Sequence, residues 1–168
     1  MAATTRLCLD SLREALAARS ANCILDVGCG TGVLSLAAAA LKAPYVLGLD
    51  ISWQAAQATR ENVSKNRLQG VVQVAQGSTE CVKTGFDLVI ANLPWEVQMS
   101  KVAELDRVAA RPARLILSGF RDNQEKQLRE RFLNRGWALQ RRVVKDFWHP
   151  ELPAGMSFTW VAWLLEAG

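Results

Sequence analysis

The chain has 168 residues, half of them hydrophobic and 21% charged, which excludes an intrinsically disordered protein and fits one domain with its own core. The formal net charge of +4 is compatible with an acidic or nucleic-acid partner, yet the basic residues are dispersed, and the densest patch (Arg135, Arg141, Arg142, Lys145) reads as a solvated face. No apolar run is long enough to cross a bilayer, and the opening MAATTRLCLDSL lacks a basic stretch followed by an apolar one, so a cytoplasmic protein without membrane span or signal peptide is expected.

In chain order, Leu9, Leu12 and Leu16 recur at helical spacing and predict a helix over Thr4–Arg19, with Thr4 or Thr5 available as its cap. Cys23–Val27 is a short apolar strand, Thr31–Lys42 an Ala/Leu-rich helix and Pro44–Asp50 a strand. Ser52 caps a polar helix over Ser52–Asn66, and Val71–Ala75 and Gly85–Ala91 are strands. Val102, Leu105 and Val108 mark a helix over Val97–Ala110, followed by a strand at Leu115–Ser118. Asp122 with Glu125 reads as a capping box for a helix that ends at Arg135-Gly136. Trp137–Val144 and Ser157–Leu165 are the last strands, joined by a connection too short for a helical crossover and therefore antiparallel. Strands alternating with helices imply an α/β fold: a mostly parallel seven-stranded sheet with a C-terminal antiparallel hairpin and helices on both faces. No repeat or linker divides the chain, so residues 1–168 are read as a single domain.

The four cysteines, Cys8, Cys23, Cys29 and Cys81, show no C-x-x-C spacing, so neither a metal site nor a disulfide framework is expected. The strongest signal is ILDVGCGTGVLSLAAAA, a buried strand running into Gly28, Gly30 and Gly32 and then a helix. Glycines at that point allow a sharp turn and close approach of backbone to a ligand. The dinucleotide pattern places its third glycine one residue later, where this chain has Val33. Asp26 before the loop would repel a pyrophosphate but suits a cationic amino acid. The next strand ends in Asp50, whose carboxylate can accept from both ribose hydroxyls. These features favour S-adenosylmethionine over NAD.

With these motifs in place, the chain resembles the class I S-adenosylmethionine-dependent methyltransferases. More narrowly, TTRLCLDSL, ILDVGCGTGVLSLAA, DLVIAN and RLILSGF resemble the family that methylates the large-subunit ribosomal protein L-eleven (the PrmA family). The resemblance implies a Rossmann-like fold and methylation of lysine or N-terminal amines of a protein acceptor, one that is ribosomal in that family. It also places Thr4 and Thr5 near the methionine moiety. The cofactor set so implied is Thr4, Thr5, Asp26, Gly28, Cys29, Gly30, Gly32, Asp50, Ile51, Ser78 and Asn92. The family carries a separate N-terminal recognition domain, whereas this sequence opens on its catalytic part.

The segment ANLPWE departs from the family. Its Asn92-Leu93-Pro94-Trp95 is similar to the N-P-P-Y signature of methyltransferases acting on planar nitrogens. A nucleic-acid base, a glutamine amide or a small molecule is therefore the alternative acceptor, and an inactive cofactor-binding partner subunit is a second alternative. In the expected fold Asn92 ends the strand beside the glycine loop. Its amide oxygen and the Leu93 carbonyl could aim an acceptor nitrogen, Pro94 could stiffen the turn, and Trp95 could stack on a flat substrate or meet a cationic amine. Trp148 and His149, in the loop FWHPELPAG, are expected to border the acceptor cleft. Trp160, Trp163 and Phe120 read as core.

Overall fold

Strand β1 (Ile24–Val27) is buried at every position, which a strand achieves with helices over both faces of its sheet. The computed structural model, which describes residues 1–168, supplies them. Strands β1, β2 (Val46–Asp50), β3 (Val72–Gln76), β4 (Phe86–Asn92) and β5 (Ala109–Arg121) run parallel. Strands β6 (Ala138–Phe147) and β7 (Phe158–Ala167) form an antiparallel hairpin, with β7 lying between β5 and β6. The order across the sheet is β3-β2-β1-β4-β5-β7-β6. Strand order therefore reverses between β1 and β4, and the crevice outside their carboxyl ends is where an open α/β sheet takes its ligand.

Alternation along the strands divides the core in two. Leu25, Val27, Val89, Ala91, Leu115 and Leu117 face helices α4 (Trp95–Val108) and α5 (Glu125–Leu133), which contribute Val102, Leu105, Leu128 and Phe132. Ile24, Leu88, Ile90 and Ile116 face the opposite way, toward helices α1 (Ala3–Ala18), α2 (Val33–Ala40) and α3 (Trp53–Lys65), which contribute Leu12, Leu34 and Val63. Successive side chains of a strand point to opposite faces, so these runs, apolar at almost every position, feed both layers.

Several sequence expectations are corrected in detail. Helix α1 buries Leu7, Cys8, Ser11, Leu12 and Ala15, while Leu9 and Leu16 only flank that face. Thr4 and Thr5 lie inside its first turn; Ala2 is at the cap and offers no side-chain oxygen. Helix α4 begins at Trp95, directly after Pro94, as a residue with fixed φ and no free N–H allows. It ends at Val108, and β5 starts at Ala109 rather than Leu115, because Arg111, Pro112 and Arg114 conceal a strand that β4 and β7 pair with on either side. The expected Asp122–Glu125 capping box is absent. Residues Asp122–Gln124 form a short 3-10 turn in which the Arg121 N–H donates to Gln124 Oε1 at 2.9 Å. Glu125 is free to take Arg142 and the Trp163 indole N–H. Ser52 caps α3 as expected, and Gly136 is left-handed after α5. Phe120 and Trp163 are core and in contact, whereas Trp160 is only half-buried, beneath the Arg121 guanidinium. In the basic patch, Arg135, Arg141 and Arg142 are each ion-paired, to Asp106, Glu14 and Glu125.

Candidate cofactor and acceptor site

The loop from β1 to α2 carries three left-handed glycines: φ is +70° at Gly28, +59° at Gly30 and +88° at Gly32. Each is close-packed or open in a way that fits a cradle. A Cβ on Gly28 would lie 2.5 Å from Leu93 Cδ2, and one on Gly32 would lie 2.7 Å from Thr59 Cγ2. Gly30 faces open space, so there the bare backbone can approach a ligand. Its N–H donates to Asp50 Oδ2 at 2.9 Å, while Ser52 N–H donates to Asp50 Oδ1 at 2.9 Å. Each carboxylate oxygen keeps a further acceptor position, so Asp50 is held rigid and can still take ribose hydroxyls. Ile51 beside it is 75% exposed and offers an apolar surface to a flat base. This donor and acceptor set fits S-adenosylmethionine.

Two expected cofactor contacts are placed differently. Asp26 is only 1% exposed, beneath the loop, and its Oδ2 accepts from Ser35 Oγ at 2.6 Å. Burial pushes its pKa up to about 6 against the opposing pull of the Ser35 hydrogen bonds, with Asp50 adding repulsion. Its carboxylate therefore lies beneath the loop and is not exposed at its surface. Cys29 turns its side chain inward, with Sγ 3.4 Å from Thr59 Oγ1, and burial holds its thiol up at about 11. Only its backbone belongs to the loop surface. Ser78 is tied to α4: Lys101 Nζ donates to its hydroxyl at 2.6 Å and to Glu80 at 2.7 Å.

The candidate acceptor side begins at the end of β4. Asn92 pairs with Ser118 of β5, and its Nδ2 donates to Thr5 Oγ1 at 3.4 Å. The N-terminal helix thus meets the strand tip, bringing together Thr5 and Asn92 from 87 residues apart. With the amide nitrogen committed to Thr5, Oδ1 is the atom left for an acceptor N–H. Leu93 donates its N–H to the Ser118 carbonyl at 3.1 Å and rests its side chain on Gly28. Its carbonyl oxygen lies against Gly119, 2.1 Å from where a Cβ would stand. Trp95 is half-buried against the α4–α5 core, and its indole N–H donates to the Gln124 carbonyl at 3.0 Å. The ring is thus anchored at its indole nitrogen and along its packed face.

Trp148 and His149 stand apart from this cluster. They occupy the β6–β7 hairpin tip, Trp148 69% exposed and His149 Nδ1 accepting from the Glu151 N–H at 3.3 Å. β6 is parallel to β5 in the sheet, so the tip projects past the same edge as the glycine loop. In the sheet order β7 is two strands from β4, about 10 Å at ordinary strand spacing. A hollow of about 570 Å³ at the tip is lined by Asp122, Asp146, Phe147, Trp148 and Phe158 among others.

A model of the ribosomal protein L11 methyltransferase (PrmA) family matches residues 2–150. The chain belongs to that family. It is 34% identical over 145 residues to a ribosomal protein L11 methyltransferase of Thermotoga neapolitana, an alignment covering 86% of this chain and 54% of the relative. It is 37% identical over 135 residues to one of Syntrophotalea carbinolica, covering 80% and 44%. The chain thus spans about half the length of the curated relatives it matches. Among solved structures, a ribosomal protein L11 methylase from Lactobacillus delbrueckii subsp. bulgaricus superposes with a TM-score of 0.78 at 24% identity, over 98% of this chain and 79% of that one. A putative RNA methyltransferase from Pyrococcus horikoshii gives 0.76 at 18% identity, over 95% and 82%. At such identities these two share the fold.

Sequence reasoning missed two residues that contact the turn at 92–94, Gly119 and Gln98. Gly119 is required by the Leu93 carbonyl, and its signal was an isolated glycine just past a strand, in RLILSGF. Gln98 lies on the buried stripe of α4 with Val102, Leu105 and Val108. Its signal is a polar residue on an apolar stripe, which an apolar periodicity does not reveal.

Proposed function

We propose that this chain is the S-adenosylmethionine-binding, methyl-transferring part of a protein N-methyltransferase whose acceptor is an amine of a ribosomal protein. The observation that carries the reading is the joint placement of the open Gly30 backbone, the Asp50 carboxylate and Asn92 Oδ1 at one switch point of the sheet. Membership of the PrmA family and the names of the relatives support the acceptor class. The bound sulfonium supplies a methyl group already activated for in-line displacement by a nitrogen lone pair. The protein's task is then to orient the acceptor. Asn92 Oδ1 accepts one amine N–H and so aims the lone pair along the reacting axis. Thr5 fixes the amide by taking its Nδ2. Leu93, seated on Gly28, excludes water from the loop. A lysine amine, with a free pKa of about 10.4, must lose its proton first, and the adjoining positive charge together with the partly closed apolar surroundings favours the neutral form. Trp148 and His149 would touch the flank of the acceptor and not its reacting nitrogen, and Trp95 would form the wall beneath it.

The test is incubation of the purified chain with methyl-labelled cofactor and ribosomal protein L11. Label in lysine or the N-terminal amine of that protein supports the reading. Label that enters nucleic acid from a whole-cell extract instead would move the acceptor to a planar nitrogen. Tight cofactor binding with no transfer to any acceptor would make the chain a cofactor-binding subunit.

A further inference from the structure

Gln98 is fully buried in helix α4, four residues before Val102, the one polar side chain on that helix's buried face. Its Nε2 donates to the Ala91 carbonyl at 2.6 Å and to the Ser118 carbonyl at 3.0 Å, and its backbone N–H donates to the Pro94 carbonyl at 3.0 Å. The Gln98 side chain therefore ties the end of β4, just before Asn92, to the tip of β5, while the first backbone bond of α4 closes the turn at Pro94. The Ser118 carbonyl also accepts the Leu93 N–H, so both of its lone pairs are filled by groups that set this turn. Gln98 Oε1 has no hydrogen-bond partner. A buried, unpaired amide oxygen is a stability cost that a leucine of similar volume would not carry. What the amide supplies in return is its nitrogen's two donated bonds, to the Ala91 and Ser118 carbonyls.

We propose that Gln98 is the positioning residue of the acceptor site, setting the height at which Asn92 presents its oxygen. The inference rests on the proposed methyl transfer, because it assigns Gln98 a role in aiming the acceptor through Asn92. Gln98 itself touches neither cofactor nor acceptor. Its two donated bonds hold the last β4 carbonyl before Asn92 level with the tip of β5, and the helical bond to Pro94 fixes where the turn must end.

Two variants and two kinds of measurement test it. Gln98→Leu removes both side-chain donors at nearly constant volume. Turnover with ribosomal protein L11 should fall on the order of 30-fold to 100-fold, as expected for a reacting group misplaced by a fraction of its length, while the dissociation constant for S-adenosylmethionine stays within about twofold of wild type by that account. Gln98→Glu restores one donor only while its carboxyl is protonated. Flanked by two carbonyl oxygens, that carboxyl has a raised pKa, so the variant's turnover relative to wild type should be highest at low pH and decline as pH rises through that value. A residue with a merely structural role would lower the melting temperature of both variants and show no such profile. The second measurement needs no acceptor: amide hydrogen exchange at Leu93 should accelerate selectively in Gln98→Leu, with protection of β1 unchanged. If wild type transfers no methyl group, the functional reading fails and the exchange measurement still decides the positioning of the turn. Unchanged Leu93 exchange in Gln98→Leu, full turnover in that variant, or equal losses of turnover and cofactor affinity would each overturn the proposal.

Discussion

Asp26 and the three loop glycines show how single positions divide between stability and binding. Asp26 has a pKa of about 6 in the folded chain against 3.8 ordinarily. Folded protein therefore holds more protons than unfolded protein between those values, and stability falls as pH rises through that window. The difference amounts to about 2–3 kcal/mol at neutral pH. Asp26→Asn should abolish that component, so urea melts of variant and wild type should diverge between pH 4 and pH 6.5 and run parallel above it. Cofactor binding should show the opposite dependence. A cation over the loop favours the carboxylate, so affinity rises with pH through about 6 and titration calorimetry near pH 5.5 should detect proton release that Asp26→Asn lacks. The glycines offer a paired test. Gly119→Ala drives a Cβ against the Leu93 carbonyl at a φ of +99°, and should destabilise by about 2–4 kcal/mol. Gly30→Ala meets no atom within 4 Å, so its stability loss should be limited to the left-handed strain of about 1–2 kcal/mol. It should nevertheless weaken cofactor binding tenfold or more, because its Cβ enters the space where the ligand would approach the backbone. Equal effects on binding from both substitutions would contradict the assignment of Gly30 to the cradle.

At the scale of elements, the β6–β7 hairpin joins a strand, β7, whose Val161, Trp163, Leu165 and Ala167 enter the core, to a far end with exposed apolar side chains, Val144, Phe147, Trp148, Leu152 and Met156. Its tip is held by Phe147 stacked on Phe158 at 4.9 Å and by Arg121 lying 4.0 Å from the Phe158 ring centre. Replacing 148–156 by a tight turn should leave cofactor affinity within about twofold, since the loop joins β6 and β7, which lie beyond β4 and β5 from β1 in the sheet, and should raise KM for the acceptor protein. Full activity after that replacement would reduce the loop to a connector. The elements differ in how plainly their sequences announce them. The β1–loop–α2 unit was legible because its glycines answer a backbone requirement that no other residue meets and because the apolar runs on either side switch period. The hairpin was legible from a connection too short to be a crossover. Strand β5 was half hidden, since its first part carries Arg111, Pro112 and Arg114 instead of an apolar run, and only Leu115 onward reads as a strand. The candidate cofactor residues Gly28, Gly30, Gly32 and Asp50 were placed from their position at strand ends. The Asn92–Thr5 contact, the inward turn of Cys29 and the clamp by Gln98 depend on tertiary packing that spacing does not encode.

For the whole molecule, the question is what holds helix α1 to the sheet, because α1 delivers Thr5 to Asn92 from the far end of the chain. Its apolar face contributes Cys8, Leu12 and Ala15 to the layer over Leu88, Ile90 and Ile116. Its other end is gripped by Arg114 of β5, a 5%-exposed guanidinium that donates to the carbonyls of Ala15, Arg19 and Ser20. Burial lowers the Arg114 pKa, with Arg19 contributing repulsion and Glu166 and Asp87 opposing it, yet a guanidinium stays charged at any working pH. A cation facing three carbonyls at a helix C-terminus is well placed for the helix dipole and satisfies orphan acceptors there. Arg114→Met keeps much of the aliphatic stem and removes the bonds, so it should destabilise by about 2–4 kcal/mol, mostly from carbonyls left without donors. The loss should be mechanical as well as thermodynamic. With the C-terminal end freed, α1 can shift on its apolar face, and the 3.4 Å contact between Thr5 and Asn92 at the opposite end should be the first to loosen. Methyl transfer should then fall further than cofactor affinity, and Thr5→Ala in the Arg114→Met background should add little to that fall, since contacts in one chain of coupling are not additive. A double-mutant cycle on turnover checks this. Fully additive effects would mean that the helix is fixed by its apolar face alone and that Thr5 reaches Asn92 without help from Arg114.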